Sequence, residues 1–117
     1  MPYVDGFLLA VPKNKVEDYR RIAKRAGKVW REHGALEFRE CVADDLKSGE
    51  HVPFTRTIRV SPDETVVFSW IVFKSRAHRD RVNKKVMQDP RITSIDPAAM
   101  PVSRMAYGGF KVLVDLA

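Results

Sequence analysis

The chain has 117 residues, 44% hydrophobic and 31% charged, with a formal charge of +6; that balance excludes disordered and fibrous classes and suits one domain spanning 1–117. No window approaches eighteen apolar residues, the first five residues lack the basic and apolar regions of a leader, and the lone Cys41 can form neither an internal disulfide nor a thiolate metal site, so a cytoplasmic protein without membrane insertion is expected. Residues 13–33 and 74–91 hold fifteen basic and five acidic residues, a net of +10, and leave −4 for the rest; this basic excess serves solubility first and attraction of anions second.

Residues 3–11 are apolar on both alternating faces, the pattern of a strand covered on two sides. Pro12 ends it. Asn14 followed by Glu17 resembles an N-terminal capping pair. Val16, Tyr19, Ala23, Ala26, Trp30 and His33 then recur at steps of three and four, widened by Ile22 and Val29, with Arg20, Arg21, Lys24, Lys28 and Arg31 between them, so an amphipathic helix follows. Gly34 stands where a left-handed cap is wanted, and His33 is favoured there as a cation by the helix dipole.

Over residues 35–43, Leu36, Phe38, Glu40 and Val42 alternate with Glu37, Arg39 and Cys41, which predicts a second strand. The polar stretch 44–64 is long for a connection, and residues 55–60 are expected to form a short strand within it. Residues 65–73 are the most strand-like run and belong at the sheet's centre. Ser75 caps a second helix reaching Met87, and Asp89-Pro90 stops it. Pro97 and Pro101 mark a loop. Residues 105–116 form the last strand, with Gly108-Gly109 marking a bulge or a close approach of backbone.

The order strand, helix, strand, strand, helix, strand predicts an α+β, βαββαβ fold: a four-stranded antiparallel sheet with two helices on one face. Two helices hide one side only. Because both faces of the first and third strands are apolar, a second copy is expected to cover the other side as a homodimer.

The runs YVDGF (3–7), AGKVWREHGALEFRECVADD (26–45), PDETVVFSWI (62–71), SRAHRDRVN (75–83) and MAYGGFKVLVDL (105–116) resemble the YbaA-like family of uncharacterised bacterial proteins, domain of unknown function family 1428. The resemblance covers nearly the whole chain and implies a ferredoxin-like fold of the dimeric α/β-barrel superfamily, with no established activity. That superfamily holds cofactor-free monooxygenases, haem-degrading enzymes and small ligand-binding proteins, so fold alone is an analogy. The haem-degrading branch carries a tryptophan in the second helix and a histidine soon after, and residues 82–92 contain neither.

Four side chains are candidates for lining a small-molecule pocket between sheet and helices. Glu40 shares a face with apolar neighbours, where burial raises a carboxyl toward the range of a general base or an arginine pairs with it. Trp70 walls a cavity or is plain core. His78 sits near a helix start, and Tyr107 beside two glycines offers a hydrogen bond. His33, His51 and His78 are too scattered for a metal, and no cofactor is implied. Cys41 reads as an inert small hydrophobe. Three functions remain open: a small-molecule binder or cofactor-free, monooxygenase-like enzyme; an RNA-binding protein using the basic helical face; and a structural or regulatory dimer. Nucleic acid is disfavoured because the RNA-recognition signature of an open aromatic sheet is missing.

Overall fold

A computed structural model describes residues 1–116, so Ala117 at the end of the expected domain lies outside it. Strand β1 is Tyr3–Pro12, and a 3-10 turn over Lys13–Lys15 leads into helix α1, Val16–Glu32. Strand β2 is Glu37–Val42, helix α2 is Phe54–Thr57, and strand β3 is Glu64–Phe73. Helix α3 is Arg76–Val86, helix α4 is Pro90–Thr93, and strand β4 is Arg104–Lys111. All pairings are antiparallel in the order β2-β3-β1-β4, the ferredoxin-like arrangement. The two doubly apolar strands, β1 and β3, occupy the centre.

Register assigns the faces, because successive side chains in a strand point opposite ways. Leu9 pairs with Val67 and Met105, and Phe7 with Ser69 and Tyr107, so the odd residues of these three strands look toward the helices. Phe38, Glu40 and Val42, opposite Ile71, Ser69 and Val67, share that side. The core has two clusters, one around Val29, Ile71, Phe73, Val82 and Val86, the other around Leu9, Val11, Tyr19, Ala23 and Val67. Both seat α1 on the sheet through its apolar stripe.

Four local expectations are corrected. Asn14 and Glu17 form no capping pair: Lys15 is the N-cap without a side-chain bond, and the preceding turn is held instead by Lys13 N–H to the Asp63 carbonyl, 2.8 Å. Residues 55–60 hold no strand: Phe54–Thr57 form helix α2 instead. Phe54 and Ile58 lie four residues apart, so one helical turn places both against the sheet, with Ile58 buried and Phe54 6.3 Å from the Phe68 ring. Asp89 does end α3, yet its side chain accepts from Arg91 N–H and starts α4 with Pro90 in the first turn. The last strand stops at Lys111 rather than at residue 116, because Lys111 pairs with Tyr3, the first residue of β1. The capping glycine stands: Gly34 has φ +118°, a left-handed backbone. His33 before it pairs its Nε2 with Asp89 Oδ2 at 2.8 Å.

The glycine pair bulges nowhere. Gly108 and Gly109 lie in regular register with Gly6 and Asp5. Gly109 is required because a Cβ there would collide with the Tyr3 ring and hydroxyl.

Candidate functional site

Between the helix-facing side of the sheet and the helices lies a cavity of about 640 Å³, within the range of small-molecule sites. Phe7, Leu9, Ile22, Ala26, Phe38 and Ile71 are among the apolar residues of its wall, and Ile92, Ile95 and Met100 close the end beyond α3. A few polar groups interrupt this wall. Tyr19 on α1 donates its hydroxyl hydrogen to Glu40 Oε2 on β2, 2.8 Å, and Ser69 on β3 also hydrogen-bonds the Glu40 carboxyl. These three come together because β2 pairs Glu40 directly with Ser69 while α1 crosses above.

Desolvation raises the Glu40 carboxyl above its ordinary range, against the opposing hydrogen bonds from Tyr19 and Ser69. The Tyr19 hydroxyl is raised as well, first by burial and then by the Glu40 charge. Glu40 keeps an exposed side on β2, so the pair forms an acceptor whose proton affinity is raised by partial desolvation rather than by full burial.

A second polar group lies deeper. Asp5, buried in β1, accepts from Arg79 Nη1 at 2.7 Å and from Asn83 Nδ2 at 3.4 Å, while Trp30 Nε1 donates to Asn83 Oδ1 at 3.1 Å. Burial pushes the Asp5 carboxyl up, and the Arg79 charge pulls it down. The Arg79 guanidinium also sits 4.9 Å over the Tyr3 ring. Asp5, Asn83 and Trp30 all border the cavity, and their mutual bonds fix its floor.

Of the four residues singled out from sequence, Glu40 and Tyr107 meet at this cavity. Tyr107, stacked on Phe7 at 5.3 Å, stands at its β4 side. Trp70 borders the cavity from the strand, but its indole lies beside Phe68, 5.5 Å between centroids, on the opposite sheet face. His78 is outside the lining: Lys74 N–H donates to its Nδ1 at 3.0 Å, its own N–H donates to Ser75 Oγ, and its ring meets Phe73 edge-on. Desolvation and the charges of Lys74, Arg81 and Lys85 lower its pKa.

Sequence reading missed Tyr19, Ser69, Asp5 and Asn83 as site residues. Tyr19 was legible only as a member of the helical stripe. Asp5 carried a signal, a lone charge inside an apolar strand, but its partners lie on α3, some seventy residues away. No cluster of His, Cys, Asp and Glu suited to a metal occurs among the described residues.

Residues 2–104 match the model of a family described as protein of unknown function, DUF1428. The chain belongs to that family. Its similarity to the uncharacterised protein YbaA of Escherichia coli K12 is 42% identity over 117 residues, covering 98% of this chain and 99% of YbaA. Among solved structures, the fold is similar to SnoaB of Streptomyces nogalater, a cofactor-independent oxygenase, with TM-score 0.61, 10% identity and 97% and 96% of the two chains covered. It is similar also to a dimeric ferredoxin-like protein from an uncultured marine organism, with TM-score 0.62, 13% identity and 99% and 100% covered. At these identities the family's likeness to solved structures is one of fold.

Proposed function

We propose that this family member binds a small, mainly apolar molecule bearing one ionisable hydroxyl or enol, with Glu40 accepting the hydroxyl hydrogen and Tyr107 closing the entrance. The observation that carries the reading is the Tyr19–Glu40–Ser69 cluster, set in a wall that is mainly apolar away from the Asp5–Asn83 floor. An acceptor lifted in proton affinity within such a wall selects a ligand that brings a hydroxyl. In the monooxygenase-like version, Glu40 takes the proton, the enolate carbon adds dioxygen to form a hydroperoxide, and loss of water from that C–H carbon leaves a carbonyl, so one oxygen atom enters the product and the other leaves as water; the shared fold of a cofactor-independent oxygenase supports this reaction class. Trp70 and His78 are assigned to the opposite sheet face and to the start of α3.

The working unit in this reading is a homodimer joined through the sheet face that α1 and α3 leave open. Phe68 is 45% and Phe110 61% exposed there in the single copy, and the dimeric ferredoxin-like neighbour supports the arrangement.

Titration with 1-naphthol and naphthalene tests the site, since the two differ by one hydroxyl. Naphthol is expected to bind about tenfold more tightly, the worth of one charge-assisted hydrogen bond, and Glu40→Gln is expected to erase most of that preference. Equal affinity of the two compounds for the unmodified protein removes Glu40 from the reading.

A further inference from the structure

The cavity has two polar ends, and the function proposed above uses one of them. Across the sheet, Glu40 pairs with Ser69, and Ser69 pairs on its other side with Phe7. The neighbouring row of the same face runs Phe38, Ile71, Asp5. The Glu40 end and the Asp5 end are thus diagonal to each other, two strands across and two residues along. At about 4.8 Å between strands and about 3.3 Å per residue, their backbones stand about 12 Å apart. Phe7, Phe38 and Ile71 lie between them, so the space that joins the two ends is apolar.

At the second end the group presented to a ligand is the side-chain amide of Asn83. Asp5 is itself only 1% exposed and already accepts from Arg79 and Asn83, whereas Asn83 is half-buried and borders the cavity. The amide is held in one orientation. The Trp30 indole can only donate, so it fixes the amide oxygen at 3.1 Å, while the Asp5 carboxylate accepts from the amide nitrogen at 3.4 Å. A primary amide nitrogen carries two hydrogens. Asp5 takes one, and no acceptor among the described residues takes the other. A carbonyl meets such a donor without bringing a hydrogen that needs an acceptor of its own.

We propose that Asn83 is a second binding residue of this cavity, donating an amide hydrogen to a ligand carbonyl, so that the ligand class is an aromatic ketone with its hydroxyl at the far end of the ring system. The inference rests on the reading of Glu40 as the hydroxyl acceptor and adds the other half of the ligand. Asp5 and Trp30 are positioning residues that act through Asn83, and Arg79, 2.7 Å from Asp5, holds the carboxylate in place. The walls favour an aromatic body. Trp30 and Phe38, 6.1 Å between ring centroids, stand toward β2, and Phe7 and Tyr107, 5.3 Å apart, stand toward β4. The diagonal separation suits two fused rings with substituents at opposite corners.

Two probes that differ at the carbonyl alone test the assignment: 6-acetyl-2-naphthol and 6-isopropenyl-2-naphthol, in which a methylene group stands where the ketone has oxygen. The ketone is expected to bind the unmodified protein about tenfold more tightly, the worth of one hydrogen bond made in an apolar site. Asn83→Leu is expected to erase that difference and to keep the preference for 1-naphthol over naphthalene. Because this variant also removes two internal hydrogen bonds, a direct readout on the unmodified protein stands beside it. Asn14, Asn83 and Gln88 are the three side-chain amides of the chain, so the Asn83 pair is assigned in the heteronuclear NMR spectrum by replacing the other two. One of its two hydrogens is expected to move downfield with the ketone and not with the isopropenyl compound.

Equal affinity for the two probes, in a protein that still prefers 1-naphthol to naphthalene, overturns the Asn83 assignment and leaves Glu40 standing. A ketone preference that survives Asn83→Leu, or that comes without a shift of the Asn83 amide, places the carbonyl elsewhere and overturns the assignment as well. Absence of the 1-naphthol preference removes the Glu40 reading and, with it, the hydroxy-ketone class.

Discussion

Gly27 shows how a single position inverts a general rule. It lies in the middle of α1, where alanine ordinarily stabilises a helix by about 1 kcal/mol relative to glycine. Here a Cβ would come within 2.6 Å of Phe38 Cδ1, because β2 approaches α1 closely at that turn. Gly27→Ala is therefore expected to destabilise the protein by about 1–3 kcal/mol, the ordinary cost of overpacking, measured by urea unfolding. Unchanged or greater stability would mean that the Phe38 ring moves aside freely. Glu40 was legible by its face but not by its partner. Alternation alone put it among Leu36, Phe38 and Val42, whereas the Tyr19 hydroxyl that meets it comes from a helix twenty-one residues earlier, at a distance no local pattern encodes.

At the scale of elements, one acidic group ties three segments together. Glu64, at the head of β3, accepts from Ser61 N–H at 2.9 Å and Ser61 Oγ at 2.8 Å, and pairs with Arg104 of β4. Hydrogen bonds from Ser103 and Ser61, with the Arg104 charge added, hold its carboxyl down at about 2 against an ordinary 4.5. The folded form thus releases this proton more readily than the unfolded chain. The resulting stability is complete above pH 4.5 and is lost as pH falls toward 2. Glu64→Gln is expected to flatten this part of the curve of unfolding free energy against pH, followed by urea titration at successive pH values; a curve of unchanged slope would place the acid sensitivity elsewhere. The elements themselves were read well where a period was long. Helix α1 and strands β1 and β3 stand within a residue or two of expectation, since each buries a continuous apolar stripe. Short segments were read poorly. Residues 55–60 have β-prone composition, but the spacing of Phe54 and Ile58 against the sheet decides in favour of a helical turn.

The whole molecule turns on the sheet face opposite α1 and α3, which only the short helix α2 partly covers. There Phe110 lies flat across two glycines, its Cε1 3.5 Å from where a Cβ of Gly6 would stand and 3.6 Å from that of Gly108. Gly6 and Gly108 thus make room for a ring that is otherwise presented outward. In the homodimer reading this ring is part of the interface. The unmodified protein should show about twice the 13.4 kDa chain mass by light scattering, and Phe110→Asp should shift it toward one chain mass while circular dichroism stays unchanged. A variant that remains fully dimeric would move the contact off this face. By itself the sequence determined the order of the four strands and two long helices, the central place of β1 and β3, and the surplus of apolar faces over helices, because these follow from local periodicity and chain connectivity. Only the tertiary structure decided which side chains meet in the cavity, that Trp70 turns away from Glu40, and that β4 ends at Lys111. Each of those depends on register or on contacts between residues far apart in the chain, and neither is written in any local stretch of it.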